Sequence, residues 1–551
     1  MIPPDDVITF RTTSTDALSC FPLAKNWIDH CTKSHRACAL KHHSVPSRLL
    51  NISMEDPFLQ LCQDLRPDTP YAALSHCWGT KPLLTTTDES LHLRLRNIPM
   101  SSLPKSFQDA VVVTRALGLV YLWIDSLCII QDSRADWQAE SSKMHQYYQN
   151  AFVTISALSA AGSHDGFLNT RPARTEIDLD QENLSLRTPS ASWYNIMDQS
   201  PVAQRAWTLQ EQLLSTRILH FGKDELLWQC STCTTRESDV LERKLRRNSV
   251  GGIVDEKFKP ILSDIQYLSL STYEAMARWL NVVTEYSGRR LTKREDKQPA
   301  ISGLASMVQK GTGYKYLAGL WQEDMRRGLT WHRTSRNNGG AVPSVPANQL
   351  QTASSLYTAP SWSWAALDEP VVFKMYWTDY VYPAGKLDME FVSGRTLTSG
   401  SDHLGQVTDG SITLCAWSKL GSYSPDPDNS DGILSIFIRS KLSIQRRLKG
   451  LKPRKKKANI KVGTGVLDDV INEKSSGTCT LIRITEHILK DGNGSEGGIY
   501  CLMIMEDITK AGKWKRIGLA EIGCRDLELA LLELKRSYDF GDWNWREFHL
   551  I

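Results

Sequence analysis

The sequence has no long apolar run, no large excess of charge of one sign and no basic leader. No stretch of the 551 residues approaches the ~20 apolar residues that a bilayer-spanning helix needs, so we expect no membrane partner. The formal net charge is only +4, which gives the chain as a whole no basic surface for nucleic acid. The first residues, MIPPDDVITF, are acidic where a secretory leader is basic. We therefore expect a cytoplasmic protein that binds neither a membrane nor nucleic acid.

One basic segment departs from this balance. Residues 441–457 contain nine Lys or Arg. We interpret the segment as a solvated loop between two β segments, with a nuclear address or an anion-binding patch as the alternatives. A nuclear location is therefore the alternative to a cytoplasmic one.

Twelve cysteines are scattered along the chain, and in a reducing compartment we expect free thiols that pack as small apolar groups. Cys31, His35, Cys38 and His42 are soft ligands with the spacing C-x3-H-x2-C-x3-H. In a zinc finger, by contrast, paired ligands on a turn face paired ligands on a helix. The spacing therefore favours a packed helix face over a zinc site, and we predict no bound metal.

The length predicts several domains, because one hydrophobic core rarely grows beyond about 250–300 residues. The pattern divides the chain into an extension with a short helix (1–69), an α/β domain (70–235), a helical region (236–357) and a mostly β region (358–551). In the last two regions we predict helices over 273–285, 296–309 and 316–325, and a hairpin of 499–505 with 514–522.

Two apolar runs in the α/β region have polar residues only at their carboxyl ends. These runs, 71–76 and 119–125, have the pattern of parallel strands buried on both faces. A helix that starts at Ser102 and Pro104 and ends at Gly118 separates them. A helix over 136–151, a strand over 152–157, an irregular insertion over 162–199, a helix from Arg205 and strands over 217–221 and 225–229 follow. The alternation predicts a parallel, doubly wound sheet with 71–76 and 119–125 as adjacent central strands.

The helix that begins near Arg205 carries the main candidate site. Trp207 and Glu211 stand four residues apart, which places an aromatic ring and a carboxylate on one side of the helix. A pocket that holds a flat ring next to a developing positive charge needs such a pair. The alternative is a core Trp beside a solvated Glu.

Four stretches resemble, in order, the fungal heterokaryon incompatibility (HET) domain. They are YAALSHCWG from residue 71, LPKSFQDAVVVTRALGLVYLWIDSLCIIQD from 103, DWQAESSKMHQYYQNAFVTISA from 136 and RAWTLQEQLLSTRILHF from 205. Such domains are similar in layout to Toll/interleukin-1 receptor (TIR) domains. The resemblance therefore implies a TIR-like, flavodoxin-like sheet and a role in incompatibility, cell death and innate immunity.

Some TIR domains hydrolyse NAD through a Glu in a Trp-Cys-x-x-Glu helix. The matching stretch here runs from Trp207 to Glu211, with Thr208 in place of the Cys and a long insertion before the helix. The resemblance thus implies an NAD(P) glycohydrolase with Glu211 as its catalytic residue. It also implies self-association on activation and a protein trigger of unknown identity.

The chemistry supports the same residue. Cleavage of the nicotinamide–ribose bond develops an oxocarbenium-like centre, which a nearby carboxylate stabilises. Because nicotinamide leaves readily, we expect NAD as a substrate and neither a cofactor nor a metal. The candidate binding residues are Ser75, His76, Trp78, Gly79 and Arg205 around the diphosphate, Asp125 at a ribose and Trp207 at the ring.

Two other functions remain open. A non-catalytic signalling or scaffold module would self-associate and recruit partners, and it would have no use for a pocket carboxylate at Glu211. A cysteine hydrolase would use Cys77 or Cys128 with His76 or His220, although no activating motif accompanies them.

Overall fold

The structure is a computed structural model that describes most of the chain. The described residues are 17–39, 44–171, 176–179, 184–187, 191–238, 243–244, 272–334, 357–374, 388–400, 402–427, 433–442, 456–468, 476–491, 494–523 and 543–551. They belong to two compact units, the first drawn from 1–269, 289–311 and 400–405 and the second from 270–288, 312–399 and 406–551. The four-part division of the chain stays a prediction.

Both units contain helices and strands. The helices are α1 (Phe21–Ser34), α2 (Asp88–Arg94), α3 (Lys105–Ala116), α4 (Asp125–Cys128), α5 (Arg134–Asn150), α6 (Trp193–Asp198), α7 (Ala206–Leu214), α8 (Thr272–Ser287), α9 (Pro299–Thr312) and α10 (Met325–Gly328). The strands of the first unit are β1 (Arg48–Asn51), β2 (Phe58–Leu61), β3 (Ala72–Ser75), β4 (Tyr121–Trp123), β5 (Val153–Ser156), β6 (Glu176–Leu179), β7 (Leu184–Arg187), β8 (Arg217–Phe221), β9 (Leu226–Cys230), β10 (Cys233–Arg236) and β11 (Arg243–Lys244).

The first unit is built around a mixed sheet of nine described strands in the order β11-β10-β9-β8-β5-β3-β4-β1-β2. The four central strands, β4, β3, β5 and β8, are parallel, and the outer strands on both sides are antiparallel. The pairs Ala72–Leu122 and Ala73–Trp123 align β3 with β4. The prediction of an α/β region with these two strands adjacent and parallel is therefore confirmed.

The order of the parallel strands determines where polar side chains collect. Numbered along the chain, the four strands lie in the order second, first, third, fourth, so the crossover connections diverge between β3 and β5. At this point the register pairs Ser75 with Ser156, each the last residue of its strand. In open α/β sheets, the crevice at the carboxyl ends beside such a switch point is the usual ligand site.

Local sequence explains the elements that flank this point. All four residues of β3 are buried, as expected of an apolar strand that is covered on both faces. Helix α3 starts after Pro104 and ends before Gly118, whose φ of 78° is the left-handed conformation that glycine adopts without strain. Helix α5 starts at Ser133, whose hydroxyl accepts a hydrogen bond from the Asp136 N–H.

Four predictions for individual segments need correction. Strand β4 is shorter than 119–125, because Asp125 already begins α4. The insertion over 162–199 is not wholly irregular, since it contains the β6–β7 hairpin and α6. Strand β9 runs antiparallel to β8, because the short turn between them cannot make the crossover that a parallel pair requires.

The fourth correction concerns residues 316–325, where the predicted helix is wrong, because Gln322–Asp324 is a 3-10 turn and only Met325 begins an α-helix. The segment forms a hairpin of β12 (Tyr316–Leu317) with β13 (Leu320–Trp321). Ala318 and Gly319 have φ angles of 46° and 96°, which a right-handed helix cannot contain. The apolar periodicity therefore reflects a tightly packed turn.

The second unit is mostly β, and the predicted β-rich character of the C-terminal region is confirmed. Its further strands are β14 (Trp331–Arg333), β15 (Val371–Phe373), β16 (Met389–Thr398), β17 (Val407–Pro425), β18 (Ile433–Leu442), β19 (Lys456–Leu467), β20 (Gly477–Asp491), β21 (Gly494–Glu506), β22 (Trp514–Gly523) and β23 (Asn544–Leu550). Strands β16 to β23 form one sheet, in which β21 and β22 are the predicted hairpin. The basic segment joins β18 and β19, and its residues 443–455 lie outside the described residues.

Short 3-10 turns complete the described structure. They are Ala17–Cys20, Arg36–Cys38, Met100–Ser102, Arg294–Lys297, Gln322–Asp324 and Trp364–Ala366. None of the helices in the described ranges has the combined length and apolar character that a membrane crossing requires.

Candidate functional site

Polar side chains from three elements meet at the carboxyl ends of the central strands. Ser75 ends β3, Asp125 follows β4 and Glu211 comes from α7. The Arg205 side chain reaches the same place from the start of α7 and donates a hydrogen bond to the carbonyl oxygen of His76. The structure thus brings these predicted residues into one cluster, which we call the strand-end cluster.

Glu211 is the buried acid of the strand-end cluster. It is only 3% exposed, and its Oε2 has no hydrogen-bond partner among the described residues. Burial raises the pKa of Glu211 from 4.5 to about 7, while the charge of Arg205 and the hydroxyl of Ser75 favour the carboxylate and limit the rise. The alternative of a solvated Glu is therefore wrong.

His76 and Asp125 lie beside each other in the strand-end cluster. The His76 Nε2 lies 3.9 Å from Asp125 Oδ1, which is too long for a hydrogen bond. Burial lowers the pKa of His76 to about 4, and the neighbouring charge of Asp125 only partly opposes this. The imidazole is therefore neutral at neutral pH and can act as a hydrogen-bonding group but not as a cation.

Trp78 and Gly79 shape the loop after β3. The Trp78 indole N–H donates a 2.9 Å hydrogen bond to Asp125 Oδ2, which holds the carboxylate against the loop. Gly79 has a φ of 80°, and a Cβ at this position would lie 2.8 Å from the Cα of Gly162. Only glycine therefore permits this close approach of two backbone segments.

Trp207 does not share a cavity with Glu211. Its indole N–H donates a 3.2 Å hydrogen bond to Asp296 Oδ2, on the segment that precedes α9. The next turn of α7 is tied to the same part of the chain, because Gln210 Oε1 accepts a hydrogen bond from the N–H of Gly303. Helical spacing placed the ring and the carboxylate correctly along α7, but it could not show that the two side chains meet different partners.

A small cavity of about 10 Å³ adjoins Glu211. Its lining comes from β3, β5, α6, α7, β8 and the segments beside them: Ser75, Thr154, Ser156, Leu158, Met197, Val202, Ala203, Thr208, Glu211, Gln212, Ile218 and His220. This volume is at most what one water molecule needs, so a nicotinamide ring does not fit in this conformation.

Sequence reasoning missed two features of the site. Tyr148 on α5 donates a hydrogen bond to the Leu74 carbonyl oxygen and lies beside Glu211. Ser156 ends β5 opposite Ser75, and its polar position at a strand end was the signal that could have found it. The sequence of α5 does not show which strand the Tyr148 side chain meets.

The two cysteines of the hydrolase alternative are poorly suited to nucleophilic attack. Burial raises the pKa of the Cys77 thiol to about 11 and that of the Cys128 thiol to about 12. Because the thiolate is the nucleophile, these sites disfavour the reactive form.

The cysteines near the amino terminus meet a partner that is remote in sequence. Cys31 and Cys38 are fully buried, but only Cys31 lies on α1, because the helix ends at Ser34 and Cys38 belongs to the following 3-10 turn. Cys230 at the end of β9 joins these two cysteines and His35. His42 lies outside the described residues. The spacing argument considered only ligands close in sequence and therefore missed the fourth one.

Comparison with known proteins gives one match. Residues 71–211 match a family model described as heterokaryon incompatibility protein (HET), over about a quarter of the chain. The matched range begins at the residue before β3 and ends at Glu211, so it contains all eight predicted site residues. Neither a curated protein nor a solved structure matches the chain.

Proposed function

We propose that the domain over residues 71–211, which matches the heterokaryon incompatibility (HET) family, hydrolyses NAD at the bond between nicotinamide and ribose. The domain supports a function of the heterokaryon incompatibility type. The proposal makes the protein a cell-death effector of fungal innate immunity, with NAD or NADP as substrate and no cofactor.

The observation that carries the proposal is the state of Glu211. Keeping a carboxylate in a buried site with an unpartnered oxygen and a pKa near 7 costs folding free energy. Such groups concentrate at functional sites. Residues that are arranged to stabilise a transition state often lower the stability of the folded protein. Glu211 also stands at the end of the range that matches the family.

The strand order gives independent support. The order second, first, third, fourth is that of the first four strands of flavodoxin-like sheets, and the strand-end cluster lies at the switch point where such sheets bind nucleotides. A TIR-like layout is part of the proposal on this basis.

The proposed reaction requires one charged carboxylate. The bond between nicotinamide and ribose breaks, and its electron pair leaves with nicotinamide, which becomes neutral. The Glu211 carboxylate stabilises the cationic ribose, and water then adds to the anomeric carbon and releases one proton. In the proposed reaction Arg205 binds a phosphate oxygen, and Asp125 binds a ribose hydroxyl.

The proposal includes an opening step, because the cavity of about 10 Å³ excludes the substrate. We assign this step to self-association of the protein after an unidentified protein trigger. A movement of α7 or α6 opens the cavity, since both helices line it.

The small volume of the cavity also favours a second function. A scaffold that acts by self-association and recruitment of partners needs no room beside Glu211. In that case the buried carboxylate is a structural feature of the fold, and the protein has no hydrolase activity.

Incubation of the purified full-length chain with NAD tests the proposal. Nicotinamide and ADP-ribose are measured by chromatography over a wide series of protein concentrations, with molar mass from light scattering. We expect equal amounts of both products and a specific activity that increases with assembly. Absence of nicotinamide in the assembled protein, with NADP tested in parallel, leaves the scaffold function. A constant specific activity from a monomer removes self-association from the proposal.

A further inference from the structure

Four soft ligand atoms converge between the N-terminal segment and the β9–β10 hairpin. Cys31 from α1, His35 after it, Cys38 from the following 3-10 turn and Cys230 from the end of β9 place these atoms within 4.8 Å of one another. We propose that these four residues bind one structural zinc ion.

The distances fit tetrahedral coordination. Zinc lies about 2.3 Å from sulfur and about 2.0–2.1 Å from nitrogen, which separates the ligand atoms of a tetrahedron by about 3.5–3.8 Å. Cys230 Sγ lies 3.5 Å from His35 Nδ1. No two of the four ligand atoms are more than 4.8 Å apart, so side-chain shifts of about 1 Å complete the tetrahedron.

The environment of Cys230 is that of a thiolate ligand. Its Sγ accepts 3.4 Å hydrogen bonds from the backbone N–H groups of Thr232 and Cys233, in the tight turn between β9 and β10. Two N–H donors aimed at one sulfur stabilise its negative charge and orient it. A cysteine packed only as an apolar group has no need of this arrangement.

The set of ligands identifies the metal and its role. Three cysteines and one histidine form a recognised structural zinc set, and the three cysteines are fully buried. All four positions are filled by protein, which leaves none open for a substrate. Binding of Zn²⁺ by three thiols and one neutral imidazole releases three protons and leaves a centre of net charge −1.

The proposed ion connects parts of the chain that are nearly 200 residues apart. The same region is held by a 2.7 Å hydrogen bond from Arg217 on β8 to the Cys38 carbonyl oxygen, and by Trp27 and Trp228, whose ring centroids are 6.4 Å apart. Strand β8 also lines the cavity beside Glu211. Because Cys230 pairs with Arg217 at the amino end of β8, the zinc ion stabilises the end of the sheet opposite the strand-end cluster.

Metal analysis of the purified full-length chain tests the site. After dialysis against a weak chelator, we expect about one zinc per chain by elemental analysis in the wild type. Cys38→Ser and Cys230→Ser retain less than about a tenth of this, whereas Cys62→Ser is a matched control with full zinc, because Cys62 is a buried cysteine outside the cluster. Cys233→Ser also keeps its zinc, since the Cys233 sulfur is not one of the four ligands.

His35 provides a test that does not depend on a buried cysteine. His35 is partly exposed, so His35→Ala and His35→Cys disturb the packing less. We expect His35→Ala to lose zinc and His35→Cys to keep it, because four cysteines are also a structural zinc set.

Two results overturn the proposal. One is a wild-type chain that contains no zinc and takes up none when zinc is supplied under reducing conditions. The other is a disulfide at Cys230 and Cys233, whose sulfurs are 3.6 Å apart. In that case, the unreduced, chelator-treated and denatured protein has two thiols fewer than its twelve cysteines. Neither result bears on cleavage of NAD.

Discussion

Two buried glutamates, Glu140 and Glu211, lie on neighbouring elements of the same unit but have different hydrogen-bonding environments. Each is 3% exposed and each belongs to a helix. Glu140 accepts a 2.7 Å hydrogen bond from Ser47 and a 2.9 Å hydrogen bond from the Tyr147 hydroxyl, so both of its oxygens are satisfied. Glu211 has one oxygen without a partner and a pKa raised to about 7.

The difference separates a structural acid from a candidate catalytic acid. A buried acid that only connects elements has donors for its charge, as Glu140 has from Ser47. An acid that must meet a developing cation keeps an oxygen available for it. Motif position alone does not distinguish the two residues, because both lie within the range that matches the HET family.

The largest effect expected from the comparison is on the rate of NAD cleavage. Glu211→Gln preserves the size of the side chain but removes the charge, so we expect a rate loss on the order of 10²-fold or more, with loss of any cell toxicity. Glu140→Gln is the matched control and should keep the rate within about threefold, because it does not touch the strand-end cluster. Initial rates of nicotinamide release measure both. A rate loss in Glu140→Gln alone, with the fold intact, would place the site elsewhere.

The next largest expected effect is a loss of stability. It should occur at Glu140, the residue whose substitution should leave the rate of NAD cleavage nearly unchanged. Glu140→Ala leaves the Ser47 and Tyr147 hydroxyls without their acceptor and creates a cavity, so we expect a loss of about 2–4 kcal/mol in the free energy of unfolding. Denaturant titration followed by circular dichroism measures this loss. A change below about 0.5 kcal/mol would show that the hydrogen bonds around Glu140 are not structural.

Glu211→Gln should instead stabilise the protein above pH 7. Between pH 4.5 and about 7 the folded chain retains a proton that the unfolded chain has released, so this group lowers the free energy of unfolding as the pH rises through this window. Removal of the group recovers up to about 3 kcal/mol at pH 8 and much less at pH 4. Denaturant titrations at the two pH values measure the difference, and an equal effect at both would contradict a raised pKa.

The smallest effect concerns Arg205, whose positive charge limits the rise in the pKa of Glu211. Arg205→Met removes this charge and should move the midpoint of the Glu211 titration to a higher pH. Arg205→Lys retains the charge and is the control. The difference in unfolding free energy between each variant and its Glu211→Gln double mutant, followed against pH, reports the midpoint. A midpoint that does not move would mean that Arg205 acts only through its hydrogen bond to the His76 carbonyl.

The sequence predicts the central part of this fold well because the relevant signals are local. Apolar runs that end in Ser75 and Asp125 indicate strands and their polar ends, and parallel pairing then places those ends together. The burial of Glu211 and the separate partner of Trp207 depend on segments that are distant in the chain, so helical spacing could not reveal them. Cys230 is also distant in the chain from Cys31, so the motif near Cys31 could not show that Cys230 joins it.

Turn geometry explains why the helix prediction for residues 316–325 was wrong. Residues 316–321 have apolar positions that suit a helix, but the left-handed φ angles of Ala318 and Gly319 make a hairpin. The positive φ of Ala318 is maintained by the surrounding packing, which no local pattern describes. Long-range packing therefore decides both the hairpin and the small volume of the cavity.

The most direct test of the central claim is the pH dependence of NAD cleavage by the wild-type chain. The account requires the charged form of Glu211, so kcat/KM should rise about tenfold per pH unit below about 7 and level off above it. Initial rates of nicotinamide release between about pH 5 and pH 9, in buffers of constant ionic strength, give the profile. A profile that is flat across this range, or that falls as the pH rises through 7, would contradict a reaction driven by the Glu211 carboxylate.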